Sequence, residues 1–160
     1  MKFFFDTSAL VKFFYVENGT DVVTQIMEHT SSEIWISDLA RLEFTSALYR
    51  RYRNKTLDEI KLHIATTYFE KQLTSFNIEP LNQLVIDEAG LLLKKYGKEH
   101  GLRTLDALHL GTYSLISEQE WCFVTSDAAL IEVATLAGFL SLNPQVTNND
   151  DLNALITSNA

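Results

Sequence analysis

The sequence is short of the residues that build disulfides, sharp breaks and cationic surfaces. Its one cysteine, Cys122, excludes an internal disulfide and any zinc site made of several cysteines. That residue lies in the apolar run Trp121–Val124, where a thiol serves as a small buried hydrophobe, and such a chain fits a reducing cytoplasm. With two prolines, Pro80 and Pro144, and no stretch rich in Pro, Gly or Ser, there is no case for a linker or an internal domain boundary. No segment repeats. No apolar run approaches the roughly 20 residues of a membrane span. Lys2 and the phenylalanines after it resemble the start of a secretory signal, but Asp6 and Lys12 interrupt the stretch too early. Positive charge is scarce: 13 Lys and Arg against 21 Asp and Glu give a formal net charge of −8. This argues against broad attraction to nucleic acid or anionic lipid. A nucleic-acid enzyme of such charge needs metal cations, or a local basic rim, to hold a phosphate.

What is present is ordinary for a globular domain. At 160 residues, 46% hydrophobic and 21% charged, the chain can bury one sizeable core. Five short apolar runs read as strands: 2–5, 33–36, 76–79, 121–125 and 139–142. Segments of helical period lie between them, and this alternation predicts an α/β fold with a mainly parallel sheet. Asp6 can cap a helix over TSALVKFF, and a further helix is expected over 21–28. Ser37 can cap a helix running to about Tyr52. Thr56 followed by Glu59 fits a capping box, opening a helix that ends near Thr74. Another runs from Leu81 to about Lys98, with Gly101 marking its end. Thr104 can cap a helix through Ser117, and Ser126 or Asp127 opens one ending at Gly138. Residues 1–144 are expected to form the domain. The polar, Asn-rich tail 145–160, with its weak apolar cluster of Leu152, Leu155 and Ile156, is expected to be loosely held.

Most acids fall on polar faces or helix ends; four do not. Asp6 follows the FFF run where the first strand leaves the core, and either caps the next helix or belongs to an acidic site. Glu43 shares a small, partly apolar helix face with Leu39, Ser46 and Ala47, where an unpaired carboxylate is costly. A buried ion pair with Arg50 or Arg103 is the structural alternative. Asp106 stands in the first turn of its helix, favoured by the dipole yet bracketed by Leu105, Ala107 and Leu108. Asp127 repeats the Asp6 pattern, an apolar strand followed by hydroxyl residues and then an acid that can cap a helix. In a parallel sheet the strands' C-terminal ends lie together and ligands bind beyond them. The four carboxylates would then converge, and like charges so close need cations to stay ionised. Oxygen ligands suit one or two hard ions such as Mg²⁺ or Mn²⁺.

The stretches FFFDTSALVK, ISDLARLEFTSAL, LRTLDALHLGTY and FVTSDAALIEVATLAGF, taken together in this order, resemble the PIN-domain ribonucleases, especially the VapC-like toxins of toxin–antitoxin pairs. The resemblance implies a three-layer α/β/α sandwich and divalent-metal-dependent cleavage of RNA. Asp6, Glu43 and Asp106 fall on the family's acidic core, and Asp127 on its more variable fourth acid. Thr7, Ser8 and Ser126 hold positions where a hydroxyl could support a metal-bound water or a ligand. His109 is read as structural. Arg41, Arg50, Arg51, Arg53 and Lys55 form either a solvated helix end or a track for RNA phosphates or an acidic partner. Lys12 could reach a phosphate, with a surface lysine as the plainer reading. A carboxylate not engaged in ligation, such as Asp127, could orient the attacking water. The competing readings are a metal-dependent phosphohydrolase of a small substrate and a catalytically silent PIN-like interaction module.

The toxin-like resemblance also implies a small, basic-tailed protein inhibitor, and allows a homodimer. Phe13, Phe14 and Tyr15 are consecutive, so a helix cannot turn all three to one core and at least one should lie near the surface as an interface anchor. The alternative is that the helix over 21–28 covers them. An arginine of the inhibitor could displace the metal and pair with Asp6 or Asp106.

Overall fold

A computed structural model describes residues 1–158. Five strands form a single parallel sheet: β1 (Lys2–Phe5), β2 (Glu33–Ser37), β3 (Asn77–Glu79), β4 (Trp121–Val124) and β5 (Ser141–Leu142). Their spatial order is β3-β2-β1-β4-β5. Each expected strand is present, the later ones trimmed at their ends. Eight helices flank the sheet among the described residues: α1 (Thr7–Leu10), continued by a 3-10 turn over Val11–Phe13, α2 (Thr20–Glu28), α3 (Asp38–Arg53), α4 (Glu59–Leu73), α5 (Gln83–His100), α6 (Thr104–Ile116), α7 (Ala128–Leu136) and α8 (Asn149–Ser158).

The phenylalanine run explains the layering. Successive side chains of a strand point to opposite faces, so both faces of β1 must be covered. Phe3 and Phe5 join Ile36 and Val124 in a core closed by α1, α2, α3, α4 and α8. Phe4 joins Trp121 and Phe123 in a second core closed by α5, α6 and α7. This is the three-layer α/β/α sandwich. On the second face α5 and α6 pack closely at Gly111, where a β-carbon would lie 3.1 Å from the Ala89 amide nitrogen.

Several local expectations are corrected. The Thr56 hydroxyl donates to the Arg51 carbonyl at the end of α3, so Asp58 caps α4 instead, accepting from the Lys61 amide at 2.8 Å. Thr104 is the first helical residue of α6, and the cap position falls on Arg103, whose side chain is engaged elsewhere. Asp127, not Ser126, caps α7. The tail is not loose where it is described: Leu152, Leu155 and Ile156 recur at helical spacing, and α8 seats Leu152 and Ile156 in the first core. Residues 159 and 160 of that tail lie outside the described residues. Lys12 is not a surface lysine; it is buried and paired with Glu17 at 3.1 Å. Phe13, Phe14 and Tyr15 are half-buried, and α2 covers them only in part: it packs against the 3-10 turn that carries Phe13. Phe14 packs on Phe44 of α3 and on Tyr68 and Phe69 of α4.

Candidate active site

The chain builds β1, β2 and β3 outward on one side, then returns to lay β4 and β5 on the other. The switch therefore falls between β1 and β4, and open parallel sheets bind ligands beyond such a point. Asp6 leaves β1 there, its backbone N–H bonded to the Val124 carbonyl at 3.0 Å. Its side chain caps α1, accepting from the Ala9 amide at 2.9 Å. The Ser8 hydroxyl donates to the same carboxylate at 2.8 Å and the Thr125 hydroxyl at 2.9 Å. Burial pushes the Asp6 carboxyl above its ordinary range, opposed by the charge of His109 and by these hydrogen bonds.

Glu43 projects from the second turn of α3 and pairs with neither Arg50 nor Arg103. Its Oε2 lies 2.6 Å from Nε2 of His109 and accepts from the Thr7 hydroxyl as well. Burial alone would raise this carboxyl, but the bond and charge of His109, with the Thr7 hydroxyl, hold it below the ordinary range. His109 is buried in α6, and its Nδ1 has no partner among the described residues.

Asp106 and Asp127 are joined through one arginine. Arg103 donates from Nε to Asp106 Oδ2 at 2.7 Å and from Nη2 to Asp127 Oδ2 at 2.7 Å. The two carboxylates in turn raise the guanidinium's affinity for its proton, Asp106 most. The other oxygen of Asp127 accepts from the amides of Ala129 and Leu130, at 2.9 and 3.1 Å.

All four acids line one open cavity of about 560 Å³, together with Thr7, Ser8, Arg50, Arg103 and His109. Ser126 is not on its wall; its amide donates to Ser8 Oγ at 2.9 Å, and its hydroxyl is buried without a partner among the described residues. The basic cluster divides. Arg41 pairs with Asp38 at 2.8 Å, while Arg51 reaches Glu17 at 3.8 Å and lies over the Tyr15 ring. Arg53 and Lys55 are exposed and do not line the cavity. Arg50 does, and it is exposed and in no ion pair among the described residues.

The donor chemistry suits a hard divalent ion, since every candidate ligand is a carboxylate oxygen. Among the described residues no three His, Cys, Asp or Glu side chains are close enough to grip an ion together. Arg103 and His109 currently engage three of the four acids. These two links escaped sequence reasoning. The Arg103–Asp106 half was visible as a cation at a helix cap, three residues before an acid of the first turn. Nothing local announced that the same fork reaches Asp127, or that Glu43 meets a histidine of another helix.

The family model for the PIN domain matches residues 3–136. Among solved structures the fold is similar to FitAcB from Neisseria gonorrhoeae, at a TM-score of 0.69 and 17% identity over 91% of this chain and 99% of that one. It is also similar to VapBC2 from Rickettsia felis, described as bound to a DNA fragment from its promoter, with a TM-score of 0.64 and 14% identity over 89% and 98%. A toxin–antitoxin complex from Klebsiella pneumoniae gives 0.61 and 19% over 88% and 96%. None of the curated proteins compared matches the sequence. Likeness at these identities carries the fold.

Proposed function

Because the chain belongs to the PIN domain family, we propose that it is a divalent-metal-dependent endoribonuclease, the toxin of a toxin–antitoxin pair. The observation that supports this best is the meeting of Asp6, Glu43, Asp106 and Asp127, from four separate elements, on one cavity at the sheet's switch point. PIN domains generally use divalent ions. Asp6, Glu43 and Asp106 are the residues that would hold Mg²⁺ or Mn²⁺, as one ion or two, with Asp127 as a further ligand or as the base that orients water. When bound, the ion supplies Lewis acidity toward a phosphate oxygen and a water of lowered pKa. His109 and Thr7 fix the Glu43 carboxylate, and Ser8 and Thr125 fix that of Asp6, so both are preoriented. Arg50, unpaired on the rim, is placed to take a phosphate of the strand and offset the chain's negative charge.

The partner in this reading is a small protein with a basic tail. A separate cavity of about 380 Å³ is lined by Phe14, Tyr15, Leu57, Ile64 and Tyr68, with Arg51 and Lys61 also on its wall. Its apolar side would seat an inhibitor's anchor residues, while the basic tail would be drawn to the acidic cavity instead. The solved structures similar to this chain include one described as a toxin–antitoxin complex. A cytoplasmic location fits such a pair, and among the described residues no helix is long and apolar enough to cross a membrane.

One observation favours a second reading, a silent interaction module: every acid of the cavity already has a cap, hydroxyl, histidine or arginine partner. Incubation of defined RNAs with and without Mn²⁺, analysed on a sequencing gel, separates the readings. The proposal expects internal cleavage that needs Mn²⁺ and stops with EDTA. Intact RNA under both conditions favours the silent module, and release of phosphate from a phosphomonoester alone favours a small-substrate phosphohydrolase.

A further inference from the structure

Arg103 is the one cation that joins two acids of this cavity among the described residues. Its guanidinium bridges Asp106, in the first turn of α6, and Asp127, the cap of α7, with two hydrogen bonds of 2.7 Å. No other lysine or arginine among the described residues pairs with a carboxylate of the cavity. We propose that Arg103 is a built-in counter-ion that competes with the divalent cation for Asp106 and Asp127 and so sets the concentration at which the site loads. This inference rests on the metal-dependent reading above.

The physical case has two parts. Two carboxylates facing one cavity repel unless a positive charge lies between them. Arg103 relieves that repulsion in the ion-free protein, so an ion must displace a fork that already satisfies both acids. The displacement is nonetheless easy. The Arg103 side chain is 69% exposed, against 18% for Asp106 and 26% for Asp127. Exposed pairs are weak and salt-screened, whereas a buried pair resists being broken. A long side chain on the surface can swing into solvent without disturbing packing. The arrangement suits a competitor that lowers metal affinity while leaving the site able to load.

The opposite role is a clamp, in which Arg103 presents the two carboxylates in a geometry the ion needs. The two roles differ in sign. Calorimetric titration of Mn²⁺ into the wild-type protein, Arg103→Gln, Arg103→Lys and Arg50→Gln decides between them, with Tm measured in EDTA. Competition predicts that Arg103→Gln binds Mn²⁺ roughly three- to tenfold more tightly, while its Tm in EDTA falls. Arg103→Lys, which keeps the charge and loses the fork, should fall between the two. Arg50→Gln removes a nearby charge that bonds neither carboxylate, so it should change affinity less. Equal or weaker binding by Arg103→Gln, with normal circular dichroism, would overturn the competitor in favour of the clamp. Equal tightening by Arg50→Gln would overturn it in favour of long-range charge. If no protein in the set binds Mn²⁺, the metal-dependent reading itself fails and takes this inference with it.

Discussion

The carboxylate of Asp6 caps α1 and also faces the acidic cavity, so the two readings of that residue describe one geometry. Its burial has a measurable consequence. Because the folded carboxyl titrates above the unfolded one, the ion-free protein holds its full Asp6 contribution below about pH 4 and loses it as pH rises through the raised value. Asp6→Asn retains a capping oxygen but no titration. Urea unfolding in EDTA should show wild type losing stability relative to this variant as pH is raised; a pH-independent difference contradicts the assignment. Glu43 works the other way. Its carboxyl is held low by His109 and Thr7 despite burial, and removing the imidazole leaves a half-buried acid with less support. His109→Ala should cost about 1–3 kcal/mol in the same assay. The four acids were legible because each interrupts an apolar context. The histidine and arginine that engage them were not, because those contacts join elements far apart in sequence.

At the scale of elements, alternation of apolar runs with helical periods was enough to read five strands and their parallel sheet. Boundaries slipped where a polar side chain had a rival partner: the Thr56 hydroxyl bonds backward to Arg51, so the helix starts at the next available cap, Asp58. The tail misled for another reason. Its composition is polar, but three apolar residues at helical spacing suffice to seat α8, and Leu152 is fully buried. Leu152→Ala should therefore lower stability by about 2–4 kcal/mol, a loss that thermal melts would resolve. A change below about 0.5 kcal/mol would mean that the helix does not dock in solution. At Gly111 the constraint is space. A leucine there must push α6 off the backbone of α5 near Val85 and Ala89, so Gly111→Leu should destabilise by about 1–3 kcal/mol or more.

For the whole molecule, the central tension is a chain of net charge −8 read as an enzyme for a polyanion. Cations resolve it. Metal would neutralise the acidic centre, Arg50 offers a phosphate contact on the rim, and a basic-tailed partner would be drawn to the same charge. If Mn²⁺ binds the folded state alone, mass action raises Tm, and the rise should grow with Mn²⁺ concentration. The most direct test of the account compares wild type with Asp6→Asn, Glu43→Gln, Asp106→Asn and Asp127→Asn on one internally labelled RNA in saturating Mn²⁺, with folding checked by circular dichroism. The account predicts cleavage by wild type, its loss in the first three variants, and a milder defect in Asp127→Asn, whose asparagine still caps α7. Undiminished cleavage by Asp106→Asn would contradict it.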